Sequence, residues 1–298
     1  MGVKMQKFVY ITDIHYGAKP VCRKDDYNAA ILKKLEYVFK IAEKQKAVML
    51  IGGDLFDKGN QSFFALIKLI DLFSKYKDTV PVYINWGNHS HDGHPENSPL
   101  TLMEHSGLIT TSRNIDYVDF DGVRVIFAPN SVNPMSKDEH IKDGVKNYLM
   151  THHLIVEKPL PYTHFLMDDF KTNCDLVFCA DYHPYQGIQK YNDVVFVAPG
   201  SIARRKLTSG NLEKEIKGVI IKGEKIVLFD IPFTNDVWVE SQHIEEHGEI
   251  DLHDFQKHVD SLDIEVGMSL EHSWSEFTNK FGSENEAVSF ISSKLFNK

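Results

Sequence analysis

Asp13 and His15 stand one residue apart, directly after the apolar run Phe8-Val9-Tyr10-Ile11. Side chains two apart on an extended chain point the same way, so a carboxylate and an imidazole would project together from the C-terminal end of a strand. The arrangement recurs along the chain. "LIGGDLFDKGN" closes an apolar run with Asp54 and Asp57, and "INWGNHSHDGH" with Asn88 and His89. "LMTHHL" closes one with His152 and His153, and "FCADYHPYQG" with Asp181 and His183. Each piece also has an ordinary reading as a turn-forming Asp, Gly-Asn turn chemistry or a satisfied histidine. The order and spacing of all five carry the argument, because ligands of open α/β sheets sit beyond the carboxyl ends of the strands. Oxygen and imidazole donors without thiolate suit Mn, Fe or Zn in a two-metal centre. His91, His94, His105 and His164 read as solvated loop or helix-end histidines.

Strands and helices alternate through the first half to position these ends. Residues 7–12 read as a strand and 26–45 as a helix with Tyr27, Ile31, Leu35, Val38 and Ala42 on one stripe. Residues 47–53 form a strand, 62–77 a very apolar helix buried on most sides, and 80–87 a strand. Residues 98–107 form a short helix with Ser98 as N-cap, Pro99 in its first position and Gly107 just past its end. The pattern then turns strand-rich. A hairpin over 115–130 turns at Asp121-Gly122, strands follow at 145–151, 174–180 and 193–199, and a hairpin over 216–233 turns at Gly223-Glu224. Such units imply a layered α/β sandwich of mixed β-sheets flanked by helices over residues 1–233. Residues 234–298 form an acidic, mixed segment and a small helical appendage. Its first amphipathic helix aligns Leu270, Trp274, Phe277 and Phe281, and its second opens with a Ser283–Glu286 capping box.

Bulk properties narrow the function. Apolar content of 42% and charged content of 25% are those of a soluble globular protein. A net charge of −9 argues against whole-surface nucleic-acid binding, but not against a local basic groove or acidic ligands neutralised by cations. Cys22, Cys174 and Cys179 show no C-x-x-C pairing and read as reduced thiols. With no membrane-length apolar run and no secretory leader, a cytoplasmic location is expected.

Asp-x-His, Gly-Asp-x-x-Asp, Gly-Asn-His and a lone His, followed by a fourth His-bearing motif, resemble the signature of calcineurin-like metallophosphoesterases over residues 5–232. Within that superfamily, "GGDLFDKG", "VAPGSIARRKL" and "KGVIIKGEKIVLFDIPF" look like SbcD-type DNA-repair exonucleases and their bacteriophage-encoded relatives. The resemblance implies two divalent ions, Mn foremost with Mg or Fe as alternatives, bridged by Asp54. Asp13, His15 and His183 would complete one shell, and Asn88, His152 and Asp181 the other. The usual fourth motif is Gly-His-x-His, so Asp181 stands where that motif has a histidine. His89 cannot share the direction of Asn88 on an extended chain, so it would touch substrate, as an acid or as a stabiliser of the transition state. Asp57 would hold its imidazole in the working tautomer.

The resemblance implies DNA as substrate, an SbcC-like SMC-type ATPase as partner, and a homodimer through helices beside the active-site face. Arg204, Arg205 and Lys206 are the candidate phosphate contacts, with a weaker basic group at Lys19, Arg23 and Lys24. Two other readings stay open. One is a phosphodiesterase or phosphatase for a small molecule. The other is a DNA-end-binding scaffold subunit with a weakened metal centre.

Overall fold

The computed structural model describes residues 5–90, 94–235 and 237–239. The chain runs β1 (Lys7–Ile11), α1 (Tyr27–Gln45), β2 (Val48–Ile51), α2 (Phe63–Tyr76), β3 (Val82–Ile84), α3 (Pro99–His105) and β4 (Thr110–Thr111). It continues with β5 (Tyr117–Phe120), β6 (Val123–Ala128), β7 (Lys146–Val156), β8 (Phe165–Leu166), β9 (Leu176–Ala180), β10 (Gly187–Tyr191) and β11 (Val194–Ala198). The last elements are α4 (Ser209–Glu213), β12 (Lys217–Lys222) and β13 (Lys225–Asp230). All described residues outside 159–164 belong to one compact unit. Most of the expected appendage, including Trp274, Phe277 and Phe281, lies outside the described residues.

The architecture is the expected layered α/β sandwich. One sheet has the order β13-β12-β1-β2-β3-β4 and the other β10-β11-β9-β7-β6-β5, with β8 on β7. In the first, β1 to β4 pair in parallel while β12 and β13 join antiparallel. In the second, β6, β7, β9 and β11 are parallel and β5 and β10 form antiparallel edges. β1 shows how the sequence makes layers. Phe8 and Tyr10 point into a core shared with Leu50, Tyr148, Met150 and Phe178, between the sheets. Val9 and Ile11 point the other way, into a core with Ile31, Leu35, Val38 and Phe73 of α1 and α2. The period-2 alternation of side chains thus joins both cores through one strand.

Local chemistry starts and stops the elements. Asp26 caps α1 by accepting from the Ala29 amide at 3.0 Å, and Lys46 ends it in a left-handed conformation. Ser62 caps α2 in the same way. The expectation that α2 is buried on most sides is corrected. Leu66, Leu69, Phe73 and Tyr76 are buried, but Phe63 and Phe64 are 84% and 74% exposed. Four apolar positions at helical spacing suffice to cover the sheet, and the rest of the apolar run faces out. Sequence reading also misses β10. Its residues alternate in burial as an edge strand does, and it turns into β11 at Asn192-Asp193, both at positive φ. Cys22, Cys174 and Cys179 are buried free thiols.

Candidate metal centre

β1 ends at Ile11, so Asp13 and His15 do not project from an extended strand. Instead both take left-handed backbone conformations, φ 51° and 48°, as do Asp54 at 44° and Asp181 at 73°. The loops after β1, β2 and β9 therefore turn sharply at the residue that carries the functional group, a costly conformation for a side chain and one that clusters at working sites. Crossed backbone hydrogen bonds fix the first two loops, with the Ile14 and His15 amides donating to the Asp54 carbonyl at 3.0 and 2.9 Å. His152 comes from inside β7 rather than from its end. The register of β7 against β9 shifts between Thr151 and Leu154, and this bulge turns the His152 ring inward.

These loops bring the side chains into contact. The Nε2 atoms of His15 and His183 face each other at 3.1 Å, and Asp13 Oδ1 lies 3.8 Å from His183 Nε2. His152 Nε2 lies 3.1 Å from Asn88 Oδ1, 3.4 Å from Asp54 Oδ2 and 3.9 Å from Asp181 Oδ1. Asp13, His15 and His183 form one group of donors, and Asp13, Asp54 and His152 a second. The polypeptide holds these donors from behind. His152 Nδ1 donates to the Gly52 carbonyl at 3.1 Å, which leaves Nε2 as the ring nitrogen that faces the centre. Asp13 Oδ2 accepts from Thr12 Oγ1 at 2.7 Å and from the Asp181 amide at 3.2 Å, while buried Oδ1 has no hydrogen-bond partner.

Glycines make the space. A Cβ on Gly87 would stand 2.0 Å from Asp54 Oδ1 and 2.8 Å from His152 Nε2. One on Gly53, at φ 143°, would stand 2.1 Å from His152 Nδ1. Both glycines are the price of bringing backbone and ligands this close.

The electrostatics fit a cation. Burial pushes the Asp13 carboxyl up to about 6, against the pull of His152. Burial would raise Asp54 too, but His152 and His89 outweigh it and hold it below the usual carboxylate range. Burial lowers His152, yet Asp54, with Asp181 and Asp13, overrides it and raises the imidazole to about 10. Burial, then Arg205, holds His15 and His183 well below the usual imidazole range. The crowded carboxylates thus favour positive charge at this site. The orphaned Asp13 oxygen, the facing imidazoles and the glycine cradle all suit a divalent cation there.

Residues 6–185 match the family model of the calcineurin-like phosphoesterases. The chain belongs to this family. Among curated proteins, the phosphoesterase is 32% identical over 107 residues to the DNA double-strand break repair protein Mre11 of Aeropyrum pernix, covering 34% of this chain and 25% of that protein. It is 21% identical over 237 residues to the protein of the same name from Methanosarcina acetivorans, covering 73% of this chain and 37% of the other. The chain thus spans a quarter to little more than a third of the length of these relatives. Similar solved structures include TT1561 of Thermus thermophilus, at 10% identity and TM-score 0.48, covering 76% of this chain and all of that one. Another is a 5'-nucleotidase precursor from the same organism, at 14% identity and TM-score 0.46, covering 76% of this chain and 54% of that one.

Within the phosphoesterase site, the other expected residues fall into different surroundings. His89 is half-buried at the edge of the centre. Its amide donates to Asp54 Oδ1 at 3.1 Å, and its Nε2 lies 4.0 Å from Asp54 Oδ2. Its Nδ1 donates to Asp57 at 2.6 Å, to the backbone carbonyl and not to the carboxylate. The Asp57 carboxylate instead accepts from Arg205 and lies 3.6 Å from His15 Nδ1. Arg204 is withdrawn from any phosphate role. It is 1% exposed, donates to the Asn211 and Thr234 carbonyls at 2.8 and 3.3 Å, and lies over the rings of Phe233 and Trp238. Lys206 is half-buried beside it. Arg23 is likewise occupied, by a two-pronged pair with Asp25. Sequence reading passed over Ser201, whose hydroxyl donates to the Asp13 carbonyl at 2.6 Å. Its place in Pro-Gly-Ser, where Gly200 has φ 72°, was the available signal.

Proposed function

We propose that the protein is a metal-dependent DNA nuclease that hydrolyses phosphodiester bonds with two divalent cations, Mn foremost, in DNA end processing. The observation that carries the reading is the convergence of two donor groups sharing Asp13, with the His89 ring beside them. Asp13, His15 and His183 would hold one cation and Asn88, His152 and Asp181 the other, with Asp54 between them. Bound there, the cations would supply positive charge to the phosphoryl oxygens and activate the attacking water. The chain's own residues do the rest. With Nδ1 committed to the Asp57 carbonyl, His89 presents Nε2 to the substrate. Protonated on both nitrogens, the ring can give its Nε2 proton to the leaving oxygen or donate it in a hydrogen bond to the transition state. The two Mre11 relatives support DNA as substrate, and an SbcC-like SMC-type ATPase as partner extends the same reading.

A small-molecule phosphodiesterase is the second reading. It is favoured by Arg23 and Arg204, two basic side chains of the expected phosphate contacts that are turned to internal partners. Digestion of end-labelled DNA in Mn, beside cyclic nucleotides and nucleotide sugars, separates the two. The first reading expects DNA to shorten and chelation to stop it, with the ATPase changing rate or polarity. Intact DNA with rapid turnover of a nucleotide ester would overturn it. A chain that purifies without cations and cleaves neither would be a scaffold.

A further inference from the structure

Two adjacent arginines, indistinguishable in sequence, do opposite things. Arg204 is sealed into the fold, whereas Arg205 turns to the centre and donates to Asp57 Oδ1. The loop that presents Arg205 is tied down on every side. The Ile202 amide donates to the Thr12 carbonyl at 3.3 Å, and the Ile202 carbonyl accepts from buried Lys34 at 2.7 Å. The Arg204 carbonyl accepts from Arg23 at 3.0 Å, and the Arg205 carbonyl from Cys22 Sγ at 3.1 Å. A guanidinium held this firmly against a carboxylate is not free to follow a flexible phosphate chain.

Asp57 touches both imidazoles of interest. Its carbonyl accepts from His89 Nδ1 at 2.6 Å. Its carboxylate lies 3.6 Å from His15 Nδ1, a buried nitrogen with no hydrogen-bond partner of its own. One residue therefore faces both rings, the substrate-facing His89 through its backbone carbonyl and the ligand His15 through its carboxylate. There is also a hazard. His15, Asp57 and His89 form a third group of donors close enough to hold a cation. An ion there would bind beside His15 and block His89.

Resting on the proposed cation centre, we propose that Arg205 is a positioning residue rather than a phosphate contact. By orienting the Asp57 carboxylate it holds His15 in its working tautomer and keeps a cation out of the third donor group.

The test uses the full chain as wild type, Arg205→Gln, Arg205→Lys, Asp57→Asn and the Arg205→Gln/Asp57→Asn pair. Equilibrium dialysis counts bound Mn, and nitrogen-15 spectra of the metal-free protein report the imidazole tautomers. The expected result is one more Mn per chain in Arg205→Gln than in wild type, and mixed tautomers at His15. Arg205→Lys keeps the charge and should restore the wild-type Mn count. Turnover of DNA should fall ~10- to 100-fold in kcat with KM unchanged, the usual scale for losing a partner behind the ligands. The double variant should lose no more than the worse single one, because both act through one contact. A raised KM for DNA with unchanged kcat, Mn count and tautomers would overturn the inference and make Arg205 a phosphate contact. If the wild type neither binds Mn nor cleaves, the functional reading falls separately. The tautomer spectra then decide alone, and identical spectra in Arg205→Gln overturn the inference.

Discussion

Asp54 is where residue-scale demands meet. Its Oδ2 lies 3.4 Å from His152 Nε2 and 4.0 Å from His89 Nε2, and its Oδ1 accepts the His89 amide. Asp54→Asn keeps the shape and removes the negative charge that a bridging ligand would supply. The expected outcome is loss of phosphodiester hydrolysis together with reduced Mn occupancy. Turnover near wild type would take Asp54 out of the centre. His89 makes a contrasting case, since it meets Asp54 without sharing its donors. His89→Ala should bind Mn as wild type does while hydrolysis falls by ~10²–10⁴, the scale of losing a general acid or base. Loss of metal in that variant would make His89 a ligand. Residue types and spacing made these positions legible. They could not show which end of Asp57 meets His89, because carbonyl and carboxylate sit on the same residue. Nor could they separate Arg204 from Arg205, whose difference lies in which partners the loop brings near.

At the scale of elements, the strands were legible because buried parallel strands read as apolar runs, and the helices because their caps are written in the chain. The bulge in β7 was not, since one extra residue leaves no mark on an apolar run. Edge strand β10 escaped because its mixed polarity resembles a loop. The glycines of the loops offer a test of what these elements are built for. Gly87 has room for a Cβ only at the expense of Asp54 and His152, 2.0 and 2.8 Å away. Gly107 follows α3 at φ 68° with nothing within 4 Å. Gly87→Ala should therefore fold and lose metal affinity by at least ~10-fold, as for other disturbances behind a ligand. Gly107→Ala should cost ~1–2 kcal/mol of stability for its left-handed conformation and leave metal binding intact. Calorimetry with Mn and thermal melts on both variants check the pair. Equal metal affinities would mean that the Gly87 cradle does not serve the centre.

For the whole molecule, the centre is a joint between the two sheets. Asp13, His15, Asp54, Asn88 and His89 follow strands of the first sheet, and His152, Asp181 and His183 belong to the second. The chain carries a net charge of −9, and Asp13, Asp54 and Asp181 gather around the His152 imidazole. Without a cation, the folded state buries crowded carboxylates, a penalty that the unfolded chain escapes and that the positive charge they favour on His152 offsets in part. A cation held by donors from both sheets binds the folded state alone and so raises its stability by mass action. At a concentration of 100 Kd one ion contributes ~2.7 kcal/mol. For a domain of this size each kcal/mol moves Tm by roughly 2–4 °C. Saturating Mn should then raise Tm by roughly 5–11 °C over the chelated protein, and His152→Ala should abolish most of that rise. Thermal melts in Mn and in chelator measure it. A Tm indifferent to both would mean that no cation joins the sheets, whatever the donors around His152 resemble.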